Sequence, residues 1–338
     1  MKILIVAPNW IGDALLAQPL FARLRQKYPG VSIDALAPPW TAPVLRRMPE
    51  IAEVIDAPFG HGELKLGARW NLARSLRARA YNEAIVLPNT LKSALIPLFA
   101  GIPLRTGFTG ELRYGLLNRT HKLEEKALPL MAERYAQLAE EPGSPPARPL
   151  PEVGLRVDQA NLAAALEHLG LARGKPVVAF CPGAEYGPAK RWPARYFAEL
   201  AAKLATRGHA VWLFGSGKDR EIGEEIVHLS ADAAVNLCGR TDLASAIDLL
   251  SLAEVVVSND SGLMHVAAAV GRPVVALYGS SSPEHTPPLS RISRVVRTGI
   301  DCSPCYAREC PLGHFKCMNE LAPARVLDEL VAVKFAPH

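Results

Sequence analysis

Three consecutive valines, Val255-Val256-Val257, run into Ser258-Asn259-Asp260-Ser261-Gly262-Leu263-Met264-His265 and then an alanine-rich segment. An unbroken β-branched run reads as a strand covered on both faces, the kind found in parallel sheets flanked by helices. Small hydrogen-bonding side chains crowd its C-terminal end. Gly262 lets the backbone pass close to a ligand, and the alanines that follow favour a helix. A strand turning through such residues into a helix aims free N–H groups and a positive dipole end at whatever lies there, commonly phosphate. The plainer reading is an ordinary capped strand-to-helix turn. His265, one turn into the helix, is expected to face the same mouth as Asp260.

The same alternation recurs along the chain. Ile3 to Ala7 reads as a first strand, ending in Pro8-Asn9-Trp10-Ile11-Gly12-Asp13, and Ala14 to Tyr28 has the apolar spacing of a helix. Further strands are expected at Val31–Ala37, Ala52–Ala57 and Glu83–Leu87, with a basic helix at about Glu63–Ala80. The proline-dense segment from Glu140 to Pro151 cannot continue a helix and makes a stiff connection. Beyond it the theme repeats, with strands at Val177–Cys181, Ala210–Phe214, Glu254–Val257 and Val274–Tyr278. At 338 residues the chain is long for one core. The reading is therefore α/β, two doubly wound domains at 1–150 and 151–338. Sheets of this kind bind ligands at the C-terminal edge of their strands, and two of them are expected to face across a central cleft.

Composition narrows the partners. The first 150 residues hold 19 Lys and Arg against 13 Asp and Glu, and the remainder 19 against 20. This modest basicity in the first half suits an anionic small substrate or a membrane surface. It lacks the dense basic and aromatic interleaving of a nucleic-acid binder. The apolar start stops at Pro8 with Asp13 close behind, so it reads as a strand rather than a signal peptide. A cytoplasmic protein is expected.

Gly215-Ser216-Gly217 resembles the opening of a dinucleotide fingerprint, but Arg220 stands where its third glycine belongs. The chain has neither a GxxxxGK[ST] phosphate loop nor an Asp-x-Asp pair to hold a metal on a nucleotide diphosphate. A fixed cation must then meet any diphosphate. The loop Cys181-Pro182-Gly183-Ala184-Glu185 through Lys190-Arg191-Trp192-Pro193 supplies one in Lys190, just before a helix that begins near Pro193. Asp13 at the end of the first strand has two readings, general base or N-cap of the helix beginning at Ala14.

Asn9 to Asp13, Cys181 to Glu185 with Lys190 to Pro193, and Ser258 to His265 together resemble the ADP-heptose:lipopolysaccharide heptosyltransferases. Pro88-Asn89-Thr90-Leu91-Lys92-Ser93-Ala94 and Gly107 to Asn118 are most similar to that family's type II branch. The resemblance covers nearly the whole chain. It implies a GT-B fold and metal-independent, inverting transfer of heptose from ADP-heptose to the inner core of lipopolysaccharide, with no cofactor required. It makes Asp13 the general base and Lys190 the cation on the donor diphosphate. Gly183, Asp260, Ser261, Gly262 and His265 become donor-binding residues, with Gly12 also in the substrate site. Lys92, Arg113 and Arg119 are expected to meet phosphates or carboxylates of the lipid-linked acceptor. Within Gly215-Ser216-Gly217-Lys218-Asp219, Lys218 and Asp219 both remain open as the ribose contact. The rivals are another nucleotide-sugar enzyme of the same fold, such as an epimerase, and a two-lobed binding protein without catalysis.

Two features stand apart. Cys302, Cys305, Cys310 and Cys317 follow C-x2-C-x4-C-x6-C, which admits a structural zinc, with free thiols as the plainer reading. The segment Leu64 to Arg79 sets Arg69, Arg74, Arg77 and Arg79 beside Leu64, Trp70, Leu72 and Leu76. It reads as a solvated helix face, or as a peripheral contact with the anionic inner membrane where a lipid-linked acceptor resides.

Overall fold

The computed structural model describes residues 1–60, 63–172 and 174–334. The chain divides into two compact units, Met1–Val153 and Gly154–His338.

The first unit is built on six strands: β1 Lys2–Val6, β2 Ser32–Ala37, β3 Glu53–Asp56, β4 Glu83–Val86, β5 Leu104–Phe108 and β6 Arg119–His121. All pairs are parallel, in the order β3-β2-β1-β4-β5-β6. The second unit holds β7 Val177–Cys181, β8 Ala210–Leu213, β9 Ala234–Asn236, β10 Ala253–Asn259, β11 Val274–Leu277 and β12 Ser293–Val296. Its order is β12-β11-β10-β7-β8-β9, again all parallel. Read from the other edge, this is the order of the first sheet, so one architecture occurs twice. In each, chain direction across the sheet reverses between two central strands, β1 and β4 in the first unit and β7 and β10 in the second. Such switch points open a crevice at the strands' C-terminal ends.

Central strands are fully covered, as their apolar runs require: every residue of β4 and β7 is buried, as are Val255, Val256 and Val257. Four strands escape the sequence reading, β5, β6, β9 and β12. They are short or polar, and three of them are edge strands with β5 next to an edge, positions where hydrophobic continuity is not needed. The segment read as one helix from Ala14 to Tyr28 is two, Ile11–Leu16 and Gln18–Lys27, broken at Ala17 ahead of Pro19. Proline cannot donate to the preceding turn, and it sits near the start of the second helix, where no donor is needed. No helix among the described residues is long and apolar enough to cross a membrane.

Candidate active site

The motifs singled out in the sequence gather at the two switch points. In the first unit, Asn9 to Asp13 follows β1 and Pro88 to Thr90 follows β4. The helix after β1 begins at Ile11 with Trp10 as its N-cap, so Asp13 lies within the first turn and is not the cap. Its carboxylate is close enough to Tyr135 to act on it. Burial first, and then Asp13, push the Tyr135 phenol well above its usual range. Trp40 Nε1 donates to Asn9 O at 2.8 Å and fixes the loop before Asp13. Gly12 is half-buried in the same helical turn.

The cations expected on the acceptor side divide. Lys92 lies half-buried in the first turn of the helix Leu91–Phe99. Arg113 is only 3 % exposed. Its guanidinium donates to Pro88 O at 3.0 Å and to Asn89 Oδ1 and Phe108 O, so it clamps the loops after β4 and β5. Burial lowers its pKa from the usual guanidinium value. Arg119 pairs with Glu83 at 3.3 Å and Glu141 at 3.2 Å. Arg113 and Arg119 are thus engaged in holding the fold. The basic helix, observed at Leu66–Arg77, is similarly altered: Arg69 is buried, donating to the carbonyls of Leu64, Glu63 and Lys92. Arg77, though exposed, donates to Phe99 O, Arg79 pairs with Glu53, and Arg74 is also exposed.

In the second unit the loop after β7 meets the turn after β10. Asn259, wholly buried, accepts from Trp192 N at 3.0 Å and donates through Nδ2 to Pro182 O at 2.7 Å. One side chain therefore ties both ends of the Lys190 loop to the last residue of β10. Trp192 anchors the far end: fully buried, it packs edge-on against Phe197 and donates from Nε1 to Leu321 O. Between these fixed points Lys190 Nζ reaches Asp260 Oδ2 at 2.5 Å, with the side chains 16 % and 5 % exposed. Ser281 Oγ donates to the same oxygen at 2.5 Å. Lys190 also lies over the Tyr186 ring, 4.9 Å from its centre.

Ser261 occupies the N-cap position of the helix Gly262–Ala269 without a capping side-chain hydrogen bond, and Ser261 and Gly262 are half-buried there. That end brings orphan N–H groups and a partial positive charge to the Lys190–Asp260 pair. His265 is buried one turn on. Burial lowers its pKa to about 4, Asp260 opposing the shift and Lys190 adding to it. At neutral pH it is an uncharged imidazole beside an ion pair, suited to hydrogen bonding rather than to charge.

A Cβ at Gly183 would stand 2.5 Å from the Asp219 carboxylate, which would have to shift to admit it. That carboxylate accepts from Ser216 N at 2.9 Å and Ser216 Oγ at 2.8 Å, closing the turn after β8, while Lys218 pairs with Glu185. Both residues left open as ribose contacts therefore have internal partners. Cys181 and Cys238 are buried free thiols beside Asp219, and burial raises both.

The C-terminal cysteines do not bear out a zinc site. All four line one pocket as free thiols, but Cys302 and Cys305 are exposed while Cys317 belongs to the hydrophobic core. Among the described residues no group of three or more His, Cys, Asp or Glu is arranged to hold a metal ion. Ser281, Tyr186 and the stapling role of Asn259 were not legible in the sequence. The polar run Ser280-Ser281-Ser282 after the apolar β11 was the available signal for the first.

Comparison with known proteins bears on the family and the fold. The sequence profile of glycosyltransferase family 9 (heptosyltransferase) matches residues 69–316. The chain is 46 % identical to lipopolysaccharide heptosyltransferase 2 of Escherichia coli K12, covering 98 % of both chains. It is 47 % identical to lipooligosaccharide heptosyltransferase 2 of Haemophilus influenzae, covering 88 % of both. The solved structure of the E. coli ADP-heptose LPS heptosyltransferase II superposes with a TM-score of 0.89 at 45 % identity, over 99 % of this chain and 98 % of that one.

Proposed function

We infer the function from one premise: the chain belongs to glycosyltransferase family 9, the heptosyltransferases, with the GT-B fold of that family. It is a glycosyltransferase of the heptosyltransferase II kind. It transfers L-glycero-D-manno-heptose from ADP-heptose to the first heptose of the lipopolysaccharide inner core.

We propose that residues 151–338 hold the donor and residues 1–150 the acceptor, and that transfer is a single inverting displacement. Asp13 takes the proton of the attacking acceptor hydroxyl. Lys190, with the N-terminus of the helix Gly262–Ala269, stabilises the charge that grows on the departing ADP. Asp260, itself steadied by the Ser281 hydroxyl, holds the Lys190 ammonium in place, so little reorganisation is needed as that charge develops. Neutral His265 and the Ser261-Gly262 turn hydrogen-bond the donor, with Gly183 leaving room for it. Gly12 and Lys92 serve the acceptor, and Arg113 shapes its loop from within. The fixed cation replaces a metal, so the reaction proceeds without one. The observation that carries this reading is the Lys190–Asp260 pair, set on a helix N-terminus at the switch point of the second sheet. A lipid-linked acceptor places the reaction at the cytoplasmic face of the inner membrane. Membrane contact by the basic helix loses much of its support with Arg69 buried.

Incubating the purified protein with ADP-heptose and a panel of truncated cores, and weighing the products, tests the assignment. One heptosyl residue should be added to the core ending in a single heptose, and none to the core ending in Kdo. Transfer to the Kdo-terminated core alone would assign a different heptosyltransferase.

A further inference from the structure

Two ion pairs join the donor loop to neighbouring turns: Lys190 with Asp260 and Lys218 with Glu185, each at 2.5 Å. Arg191 is turned inward onto Ala184 O. Lys190 and Lys218 thus meet an incoming diphosphate already paired, and Arg191 is held inward on a carbonyl, whereas capture is favoured by an outward cation without its own counter-ion. The structure brings one in from elsewhere in the chain. Arg308 belongs to the irregular segment between β12 and the helix Lys316–Asn319, and its guanidinium lies 5.2 Å from the centre of the Tyr186 ring. Lys190 lies 4.9 Å from the same centre. Arg308 is exposed, and no carboxylate pairs with it among the described residues.

Its position is built rather than incidental. Ala189 N donates to Arg308 O at 3.0 Å, next to Lys190. A Cβ at residue 187 would stand 2.3 Å from that same carbonyl, so only glycine lets the two backbones meet. Tyr186 Oη donates to Tyr306 O at 2.7 Å, and Tyr306 N donates to Ser280 O at 2.6 Å. The segment is thereby fastened both to the loop bearing Lys190 and to the one bearing Ser281.

We propose that Arg308 is a second diphosphate-binding cation, held beside Lys190 by the shared Tyr186 ring and by the close approach at Gly187. Lys190 stays paired with Asp260 and meets the charge that develops on departure. Arg308 supplies the unbalanced positive charge that captures the diphosphate, and its planar fork suits two phosphoryl oxygens at once. This rests on the donor reading of the second unit.

The test uses ADP and adenosine as probes, with Arg308→Gln and Arg308→Lys. Arg308→Gln should weaken ADP about tenfold or more, flatten the salt dependence of ADP binding, and leave adenosine affinity unchanged. It should raise KM for ADP-heptose while kcat stays within about threefold. Arg308→Lys should recover part of the ADP affinity. ADP affinity and salt dependence unchanged in Arg308→Gln would overturn the proposal while leaving the donor reading intact. Equal losses for adenosine and ADP would overturn it too, by showing a merely structural part. Failure of the unaltered protein to bind ADP would instead remove the donor reading, and this proposal with it.

Discussion

Replacing Lys190 by alanine removes one partner of a largely buried ion pair, and its effects on stability and turnover can be separated. The pair is 2.5 Å long, with Asp260 only 5 % exposed. Without the ammonium, the Asp260 carboxylate keeps the Ser281 hydroxyl and the nearby helix N-terminus as its support. Breaking a buried pair from one side costs about 3–5 kcal/mol, and those residual partners place the expected loss near the lower end, about 3 kcal/mol. Asp260→Asn in the same chain removes the stranded charge, so Lys190→Ala/Asp260→Asn should return to within about 1 kcal/mol of the unaltered protein. Turnover should behave otherwise. Loss of the cation facing the leaving group costs about 2–4 kcal/mol of transition-state stabilisation, roughly 30- to 1000-fold, and no change at Asp260 replaces it. Urea unfolding of the two variants and the unaltered protein, alongside kcat/KM at saturating acceptor, reads both quantities. If the double variant regains turnover together with stability, Lys190 merely balances Asp260 and its assignment to the diphosphate is wrong. If Lys190→Ala unfolds at the same urea concentration as the unaltered protein, the burial argument fails.

Other expectations follow from the same residues. Asp13→Asn should keep the fold and ADP-heptose affinity yet lose at least about a hundredfold in turnover, whereas His265→Ala should chiefly weaken donor binding. Near-normal turnover in Asp13→Asn, measured at saturating donor and acceptor, would move the base elsewhere. Transfer should continue in EDTA; a rate abolished there and restored by Mg²⁺ or Mn²⁺ would contradict the role given to Lys190. His121 and His265 are both held down to about 4 by burial, from an ordinary value of 6.5. The unfolded chain therefore takes up protons first as pH falls, so stability is full above about pH 7 and declines between about 6.5 and 4. By pH 5 each histidine should have removed about 2 kcal/mol, and equal urea midpoints at pH 7.5 and 5 would refute this.

Local pattern alone determined the α/β class, the central strands and the loops that matter. A strand covered on both faces must be continuously apolar, as Val255 to Val257 and Val177 to Cys181 are. The residues at its C-terminal end are freed from that demand, so polar and glycine-rich turns stand out there. Peripheral strands carry no such signal, and β6 and β9, three residues each, were invisible. Tertiary structure decided which charges remain available. In sequence Arg69, Arg113 and Arg119 are cations like any other, yet burial and carbonyl or carboxylate partners distant along the chain engage all three within the fold. Conversely, Ser281, Asn259 and Arg308 come to lie against Asp260 or the loop bearing Lys190 because β10, β11 and the segment after β12 converge there. Strand order is set by which helices and edges pack together across the whole sheet, and residues it brings into contact, such as Trp192 and Leu321, are separated by up to 129 positions in the chain.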